Sequence, residues 1–416
     1  MREKLKLHCD VISGYAFSSS DWKEEGIPVI KIGNISNGSD IDCDELQYVD
    51  EFFLDKLDPK YHISNGDILV SLTGSHINQP NSMVGRSCRS LTEKKYLLNQ
   101  RAGKVIPFDN TDKNYLYYLL STKAIKYDIA NRAYGGANQV NVSPSDIKNI
   151  KWEFPLIEKQ RKISGILSKY DELIQNNNKR IIQLEGVAQE LYKEWFVRFR
   201  FPGYENVKFE DGLPENWSYV RFGKAIEIID GDRGVNYPKQ EEFYPKGDCL
   251  FLNAGNVTAK GFDFSSCSYI TKEKDDILRK GKLQHGDVVL TTRGTVGNVA
   301  FYNETMTFSE MRINSGMVIL RNLGVVSTEY IYTALRHEYL QKLMTLYASG
   351  SAQPQLPIKD MKRMKIIKPD AKTMERFTEM GADIYNQISL LIMKNQTLAK
   401  QRDMLLPRLM SGKLEV

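Results

Sequence analysis

Apolar side chains recur at helical spacing in the proline-free stretch that follows Pro155. Ile163, Ile166, Tyr170 and Leu173 lie three, four and three residues apart. Further members of this stripe are Leu184, Val187 and Leu191 and, on the adjoining position, Ile181, Ala188 and Trp195. The spacing predicts one long amphipathic helix over residues 156–200, whose stripe drifts as a straight helix requires.

The end of the chain carries a second apolar stripe, with a strict seven-residue spacing. Its members are Phe377, Ile384, Leu391, Leu398 and Leu405, flanked by Met380 and Ile388. Two such stripes predict paired long helices, the second over residues 370–416. At the usual rise per residue each helix would be ~60 Å long. Periodicity alone fits a plain dimerisation coiled coil equally well.

The remaining apolar runs are short, and they occur twice in the same order. "GDILVSLTGS" from Gly66 matches "GDVVLTTRGT" from Gly286, an offset of 220 residues. "SDIKNIKWEFP" matches "KDMKRMKIIKP", with Asp146 and Asp360 at an offset of 214. A slowly drifting offset is typical of loop insertions in two copies of one domain. Each copy combines β-rich runs with one helical segment, at 115–133 and 330–348.

These patterns predict an α+β protein in which two homologous domains alternate with two long helices. The predicted parts are a first domain at 1–155, a central helix at 156–200, a linker at 201–217, a second domain at 213–369 and a closing helix at 370–416. This order predicts antiparallel coiled-coil helices and an approximate two-fold symmetry. Two like modules on a rigid spacer suit two DNA half-sites at a fixed separation.

Composition narrows the class of protein without deciding it. At 416 residues the chain exceeds one ordinary core, and its net charge of +5 permits a nucleic-acid partner without requiring one. The five cysteines form no CxxC pair, which disfavours a disulfide framework or a zinc knuckle. No long apolar run and no signal-like start occur, so we expect a cytoplasmic protein without a membrane span.

No recognisable catalytic constellation occurs in the sequence. There is no GxxxxGK[ST] loop, and the Asn-Pro-Pro-aromatic motif of amino-methyltransferases is missing. "HEYLQ" from His337 lacks the second histidine of a zinc-protease helix, and "PDAK" from Pro369 has no suitably spaced ExK after it. We therefore predict no catalytic residue, cofactor site or metal site in this chain.

Four blocks of the sequence are distinctive when taken together. They are "NNNKRIIQLEGVAQELYKEWFVRFRFPG" from Asn176, "LPENW" from Leu213, "ASGSAQPQLPIKDMKRMKI" from Ala348 and the ending "LAKQRDMLLPRLMSGKLEV". With these blocks the chain resembles the specificity subunits of Type I restriction-modification systems. The resemblance covers almost the whole chain. It implies two target recognition domains, each reading one half of a gapped DNA sequence, with helices that set the gap and hold the modification subunits.

The resemblance also implies the partners. They would be double-stranded DNA, two adenine methyltransferase (modification) subunits and the translocating nuclease (restriction) subunits. S-adenosylmethionine, ATP and Mg would bind to those partners and not to this chain. Two alternatives stay open, namely a protein-binding scaffold with duplicated globules and a self-sufficient DNA methyltransferase or nuclease.

Loops of the repeat supply side chains that can read base edges. In the first copy these are Ser75, His76, Asn78, Gln79, Asn131, Arg132, Tyr134, Asn138 and Gln139. In the second copy they are Arg233, Asn236, Tyr237, Arg293, Thr295, Asn298, Ser351, Gln353 and Gln355. Lys31, with Arg86, Lys239 and Arg312, is expected at phosphates. A polar loop residue that serves a turn fits each position as well.

Overall fold

The computed structural model describes residues 1–36, 40–43, 45–77, 79, 82–136, 139–308, 310–350 and 354–416. The chain divides into two compact units. One comprises Met1–Leu173 with Ala399–Val416, and the other comprises Ile174–Leu398. Each unit holds one copy of the repeat and a part of each long helix.

The first unit contains fourteen strands among the residues that the structure describes. They are β1 Glu3–Lys4, β2 Cys9–Ser13, β3 Trp22–Lys23, β4 Ile27–Ile30, β5 Gln47–Val49, β6 His62–Ile63, β7 Ile68–Ser71, β8 Thr73–Gly74, β9 Ser87–Arg89, β10 Tyr96–Leu98, β11 Ala102–Pro107, β12 Tyr134–Gly136, β13 Gln139–Asn141 and β14 Lys151–Trp152. Its short helices are α1 Phe53–Lys56, α2 Lys113–Ser121, α3 Lys123–Arg132 and α4 Pro144–Lys148.

Two sheets organise the first unit. The larger sheet by number of strand residues is antiparallel, with the order β2-β11-β7-β9, and β7 is buried along its whole length. A second sheet has five mostly shorter strands in the order β3-β5-β4-β10-β6, in which β4 and β10 run parallel. The helices α2 and α3 pack with the larger sheet in one apolar cluster, to which the next long helix contributes Ile163 and Leu167.

The second unit repeats the main elements of the first in the same chain order. Its strands are β15 Phe209–Glu210, β16 Leu213–Pro214, β17 Ser218–Arg221, β18 Ile226–Asp230, β19 Cys249–Leu252, β20 Val257–Thr258, β21 Gly261–Phe262, β22 Tyr269–Ile270, β23 Asp287–Thr291, β24 Val299–Tyr302, β25 Met311–Ile313, β26 Met317–Asn322 and β27 Lys365–Lys368. The short helices are α6 Phe222–Ala225, α7 Lys272–Ile277, α8 Thr328–Arg336, α9 Glu338–Tyr347 and α10 Ile358–Met361. The two long helices are α5 Ile157–Tyr192 and α11 Ala371–Met410.

The sheet topology confirms that the sequence repeat is a repeated fold. The larger sheet of the second unit has the order β18-β26-β23-β24, which is the order β2-β11-β7-β9 of the first. The parallel pair β4 and β10 recurs as β19 and β25, and the closing pair β1 and β14 recurs as β17 and β27. Matched blocks in the sequence therefore correspond to matched strands in space.

The helical segment predicted in each copy is two helices and not one. Thr122 ends α2 and begins α3 with an extended backbone, and its hydroxyl accepts the N–H of Ile125. His337 stands at the same place between α8 and α9, also with an extended backbone. Both residues interrupt the helical hydrogen bonds, and their side chains cap the helix that follows.

The long helices bury some members of the predicted stripes and expose others. Ile181 and Ala188, which the sequence places on the adjoining position, are buried together with Tyr192, so the predicted drift of the stripe is confirmed. Val187 and Met380, both assigned to stripes, are about half exposed at 56% and 46%. A π-helical turn, Lys193–Val197, then continues α5 and buries Trp195.

Within the second unit the two long helices run antiparallel. Asn177 donates from Nδ2 to Oδ1 of Asn395 at 2.7 Å, and Arg180 donates to Oε1 of Gln387 at 3.1 Å. Residue numbers rise on one helix as they fall on the other, as the prediction required. A polar pair in such a seam favours one register, because any shift would leave the amides against apolar neighbours.

A buried carboxylate fixes both long helices in the first unit. Asp171 of α5 accepts from Arg89 at 2.7 Å and from the hydroxyl of Tyr118 at 2.6 Å through Oδ2, and from Arg402 of α11 at 2.6 Å through Oδ1. The side chains of Asp171 and Arg89 are almost fully buried. Burial, followed by the nearby Asp171 charge, raises the pKa of Tyr118, so its hydroxyl stays protonated and donates.

The matching position in the second unit holds an aromatic side chain. At the 214-residue offset Asp171 corresponds to Tyr385, and at the offset of α2 and α8 Tyr118 corresponds to Thr333. The hydroxyls of Tyr385 and Thr333 are 2.5 Å apart. Thr333 donates to the carbonyl of Glu329, so it accepts from Tyr385. The same helix contact is thus ionic in one copy and aromatic in the other.

Asp171→Ala should destabilise the chain by about 3 to 5 kcal/mol, because two guanidinium groups would lose their buried counter-charge. Tyr385→Phe at the matching position should cost only ~1 kcal/mol, the worth of one neutral hydrogen bond. Urea unfolding of the full chain, followed by circular dichroism, measures both. Equal losses for the two variants would contradict the ionic role of Asp171.

Candidate nucleic-acid interface

The first domain brings two distant loops together at the end of strand β7. The chain leaves β7 and continues into β8, which pairs antiparallel with β13. Strand β13 also pairs with β12, so the three short strands form one small sheet. Predicted residues from the loop after Ser71 and from the segment 131–141 therefore lie at one place.

The second domain builds the equivalent place with fewer strand residues. Gln355 forms isolated antiparallel bridges with Arg293 and with Ser349. The N–H of Leu356 donates to the carbonyl of Thr292 at 2.9 Å. In the first domain the N–H of Val142 donates to the carbonyl of Leu72, also at 2.9 Å. These bonds align the two sites residue by residue.

Two glycines allow close backbone approach at the first site. A Cβ on Gly74 would lie 2.6 Å from the carbonyl oxygen of Ser82, in the neighbouring segment 82–84, and a Cβ on Gly135 would lie 2.5 Å from that of Gln139, across the small sheet. Gly135 also has a φ of +146°, which side-chain-bearing residues rarely adopt. Gly135 is therefore required by the small sheet, and Gly74 by the packing of segment 82–84 against β8.

Most candidate side chains at the first site face solvent. Gln79, Asn131, Tyr134 and Gln139 are exposed, and His76 is partly exposed. Arg132 is partly exposed and forms an ion pair with Asp128 at 2.6 Å, one helical turn earlier. Such a surface pair is weak and leaves the guanidinium able to reach another anion.

A third segment joins the second site. The side chain of Arg233 bonds to Asp230 at 3.0 Å and to the carbonyl of Ser315 at 3.2 Å, while the N–H of Arg293 bonds to the carbonyl of Gly316 at 3.2 Å. Arg233 and Arg293 therefore contact the same turn. The backbone N–H groups of Gly234 and Arg279 lower the pKa of Asp232, which keeps this loop in shape as a charged carboxylate.

Arg293 differs from the other cations of the site. Its Nε is buried and has no hydrogen-bond partner among the residues that the structure describes. A buried guanidinium nitrogen without a partner is costly, while Arg293 as a whole is partly exposed. Thr295, two residues on, is exposed.

Several predicted residues have internal roles instead. Ser75 is buried, and its hydroxyl contacts the carbonyl of Gln79 and the hydroxyl of Ser82, both at 2.8 Å. Asn298 donates to the carbonyl of Val257, and the Tyr237 ring packs on Phe251. Because Ser75 and Asn298 form hydrogen bonds within the domain and the Tyr237 ring packs there, we leave these three residues out of the interface.

The four residues expected to contact phosphates differ in their surroundings. Arg312 is buried and donates to the carbonyl oxygens of Lys280 and Asp275, both at 2.8 Å, so it is a core residue. Arg86 donates to the carbonyl of Ile32 at 3.0 Å, and burial lowers its pKa. Lys31 bonds to Gln47 and lies 4.8 Å from the Trp22 ring centre, and Lys239 is exposed.

Four predicted residues lie outside the described residues, and Asn236 is partly exposed. The four are Asn78, Asn138, Ser351 and Gln353. Two residues that sequence reasoning missed are Thr73 and Asn141, which pair across β8 and β13. The alternation of polar Gln139, apolar Val140 and polar Asn141 was the available signal, since it places Asn141 on the face of Gln139.

Neither a metal centre nor a membrane helix is found in the described part of the chain. No group of three or more His, Cys, Asp and Glu side chains there could hold a metal ion. None of the described helices is long and apolar enough to cross a membrane.

A family model described as "Type I restriction modification DNA specificity domain" matches the sequence twice, at residues 4–186 and 214–396. The chain belongs to this family. The two matches contain the two homologous domains, so the predicted resemblance and fold class are confirmed. A specificity subunit of a Type I restriction-modification system recognises DNA and is not itself the catalyst.

Two similar specificity subunits come from Methanocaldococcus jannaschii. The chain is 27% identical to the "Type I restriction enzyme MjaIX specificity subunit" of Methanocaldococcus jannaschii over 76% of its own length and 73% of that protein. It is 26% identical to the "Putative type I restriction enzyme MjaX specificity subunit" of the same organism, over 99% of the chain and 93% of that protein.

A solved structure of a specificity subunit shares the fold. The crystal structure of a Type I restriction-modification S subunit from M. genitalium superposes with a TM-score of 0.52 at 16% identity. The match covers 98% of this chain and 95% of that one. At this identity the similarity concerns the fold alone.

Proposed function

We propose that each domain of this specificity subunit reads one half of a bipartite, gapped DNA target. The long helices set the gap and hold two modification subunits, to which the restriction subunits are added. S-adenosylmethionine, ATP and Mg bind to those partners, and this chain carries out no reaction itself. The complex works in the cytoplasm, where its DNA is.

The observation that carries this proposal is the pair of equivalent strand sites with different side chains. The N–H of Val142 donates to the carbonyl of Leu72 in the first domain, and the N–H of Leu356 donates to the carbonyl of Thr292 in the second. The side chains of the two domains differ from each other immediately beyond this shared bond. Equal backbones with unequal polar side chains suit two readers of different sequences.

The described residues divide by chemistry at the two sites. At the first site we assign base-edge contacts to His76, Gln79, Asn131, Tyr134 and Gln139. At the second site we assign them to Arg233, Asn236, Arg293, Thr295 and Gln355. Lys31 and Arg132 would contact phosphates, which position the protein without reading sequence. Asn78, Asn138, Ser351 and Gln353 remain candidates from the sequence alone.

The geometry gives this readout a rigid base. Arg293 and Thr295 come directly after the buried strand β23, and His76 and Gln79 come after the buried strand β7 and its short continuation β8. Neither domain needs high affinity alone, because linking two modules makes the second binding event intramolecular. Specificity then depends on both half-sites being present at once.

Methylation by the chain in complex with its modification subunits tests the bipartite reading. Genomic DNA methylated by the complex should carry one motif with two short specific parts separated by a fixed unspecified gap. Single-molecule sequencing of modified bases measures this. A contiguous motif without a gap would contradict the proposal.

Salt dependence separates DNA binding from a scaffold role. The logarithm of the DNA association constant should fall linearly with the logarithm of salt concentration, because phosphate contacts release counterions. Fluorescence anisotropy with a labelled target duplex, between low and physiological salt, measures the slope. A scaffold that binds only proteins would show no specific DNA binding at any salt concentration.

Arg293→Ala should weaken recognition in one half-site only, by ~1 to 3 kcal/mol if the guanidinium contacts a guanine. Competition binding with duplexes altered in either half-site measures the loss. Lys342→Ala is the matched control, because Lys342 is an exposed cation of the same unit whose ion pair among the described residues is with Glu338 on its own helix. A loss spread over both half-sites would indicate damage to the fold instead.

A further inference from the structure

The small sheet of the first domain presents one polar face. Residues directly opposite each other in antiparallel strands point to the same side, and Asn141 lies opposite both Tyr134 and Thr73. Gln139 is two residues from Asn141 and shares that side. Val140 points to the other side and is buried in the domain core. Tyr134, Gln139 and Asn141 are all exposed.

A buried hydroxyl orients one amide on this face. Thr73 is 3% exposed, and its Oγ1 donates to Oδ1 of Asn141 at 2.7 Å. The bond fixes which end of the amide faces the protein, so the Nδ2 group is turned outward. That Nδ2 donates to no group among the residues that the structure describes. An exposed amide that a buried donor holds in one orientation is preorganised to bind a ligand.

The second domain places a different pair at the same position. The bonds Val142 to Leu72 and Leu356 to Thr292 align the chains, so Thr73 corresponds to Arg293 and Asn141 corresponds to Gln355. Arg293 and Gln355 form a bridge, as Thr73 and Asn141 do. The buried Nε of Arg293 has no partner among the described residues.

The chemistry of the two pairs suits different base pairs. An Asn or Gln amide can donate to N7 and accept from N6 of adenine, and an arginine can donate twice to guanine. Oδ1 of Asn141 retains a second lone pair after accepting from Thr73, so the amide can still make both bonds. Thr73 itself cannot contact a base, because its side chain is buried.

We propose that this cross-strand pair is the equivalent specificity-determining position of the two domains. In the first domain Asn141 contacts the adenine of one base pair, and Thr73 is a positioning residue that orients the amide. In the second domain Arg293 and Gln355 both contact base edges. The inference rests on the proposed function, since it names the residues by which each domain reads its half-site.

Discrimination at single base pairs tests the inference. The full chain in complex with its modification subunits methylates a duplex library in which each base pair of its own target is varied in turn. The preference for the natural base over each alternative is measured at every position. A bidentate amide contact should give a preference of about 5- to 150-fold at its base pair.

Asn141→Asp keeps the shape and the acceptor for Thr73 but removes the outward donor. It should abolish the preference for A·T at one base pair of the first half-site, because a carboxylate accepts from base amino groups but cannot donate to N7 of adenine. All other positions should be unchanged. Gln355→Glu is the matched variant, and it should act at one pair of the second half-site only. Unchanged preferences in both variants, or losses at every position, would overturn the inference.

The positioning role of Thr73 has its own readout. Thr73→Val removes the hydroxyl with little change of volume and should lower the preference at the same base pair, by less than Asn141→Asp does. Thr73→Ser restores the hydroxyl and should restore the preference. The positions of the second half-site serve as the internal measure of folding, because they report the same complex. A Thr73→Val loss that serine does not restore would show that Thr73 acts only through packing.

The two proposals can fail separately. If the unaltered complex methylates a contiguous motif, the bipartite function is wrong, and the assignment of Asn141 to a base pair of the first half-site is wrong with it. If the motif is bipartite but Asn141→Asp leaves every preference intact, only the assignment of this strand pair is wrong.

Discussion

Each domain buries one face of its helix pair against the long helix that follows it in the chain. In the first unit Asp171 holds this contact through two arginines and a tyrosine, and in the second unit Tyr385 holds it through a threonine and neighbouring rings. A domain without its helix would expose the apolar surface around α2 or α8. The helices are therefore part of the domain cores, and their ends are fixed by the domains.

The two solutions at this contact differ in their energetic character. A buried carboxylate between two guanidinium groups depends on every partner being present, because any loss leaves a charge in a low-dielectric site. An aromatic cluster around Tyr385 depends mainly on packing and tolerates the loss of one hydroxyl better. Duplication conserved the place of the contact and changed its chemistry, as it did at the strand sites.

A fixed backbone position with changed side chains is also found where the core meets the candidate DNA surface. Strands β7 and β23 are buried, and each delivers its chain directly into the paired segment that carries Thr73 or Arg293. Backbone hydrogen bonds fix the position, and glycines allow the strands to meet. Side chains on the outer face are then free to differ, because they contribute little to folding. A fold that separates these roles can acquire a new target without losing its core.

The sequence by itself determined the duplication, the order of domain and helix, the paired long helices and the loops in which polar readout residues lie. These depend on local periodicity and on similarity between the copies, both of which are visible along the chain. Only the tertiary structure decided that Thr73 meets Asn141, that Arg312 and Ser75 are internal, and that Val187 of the predicted stripe is exposed. Strand partners far apart in the chain and buried ion pairs arise from packing in three dimensions, and a strand of two or three residues is too short for its sequence pattern to reveal its partner.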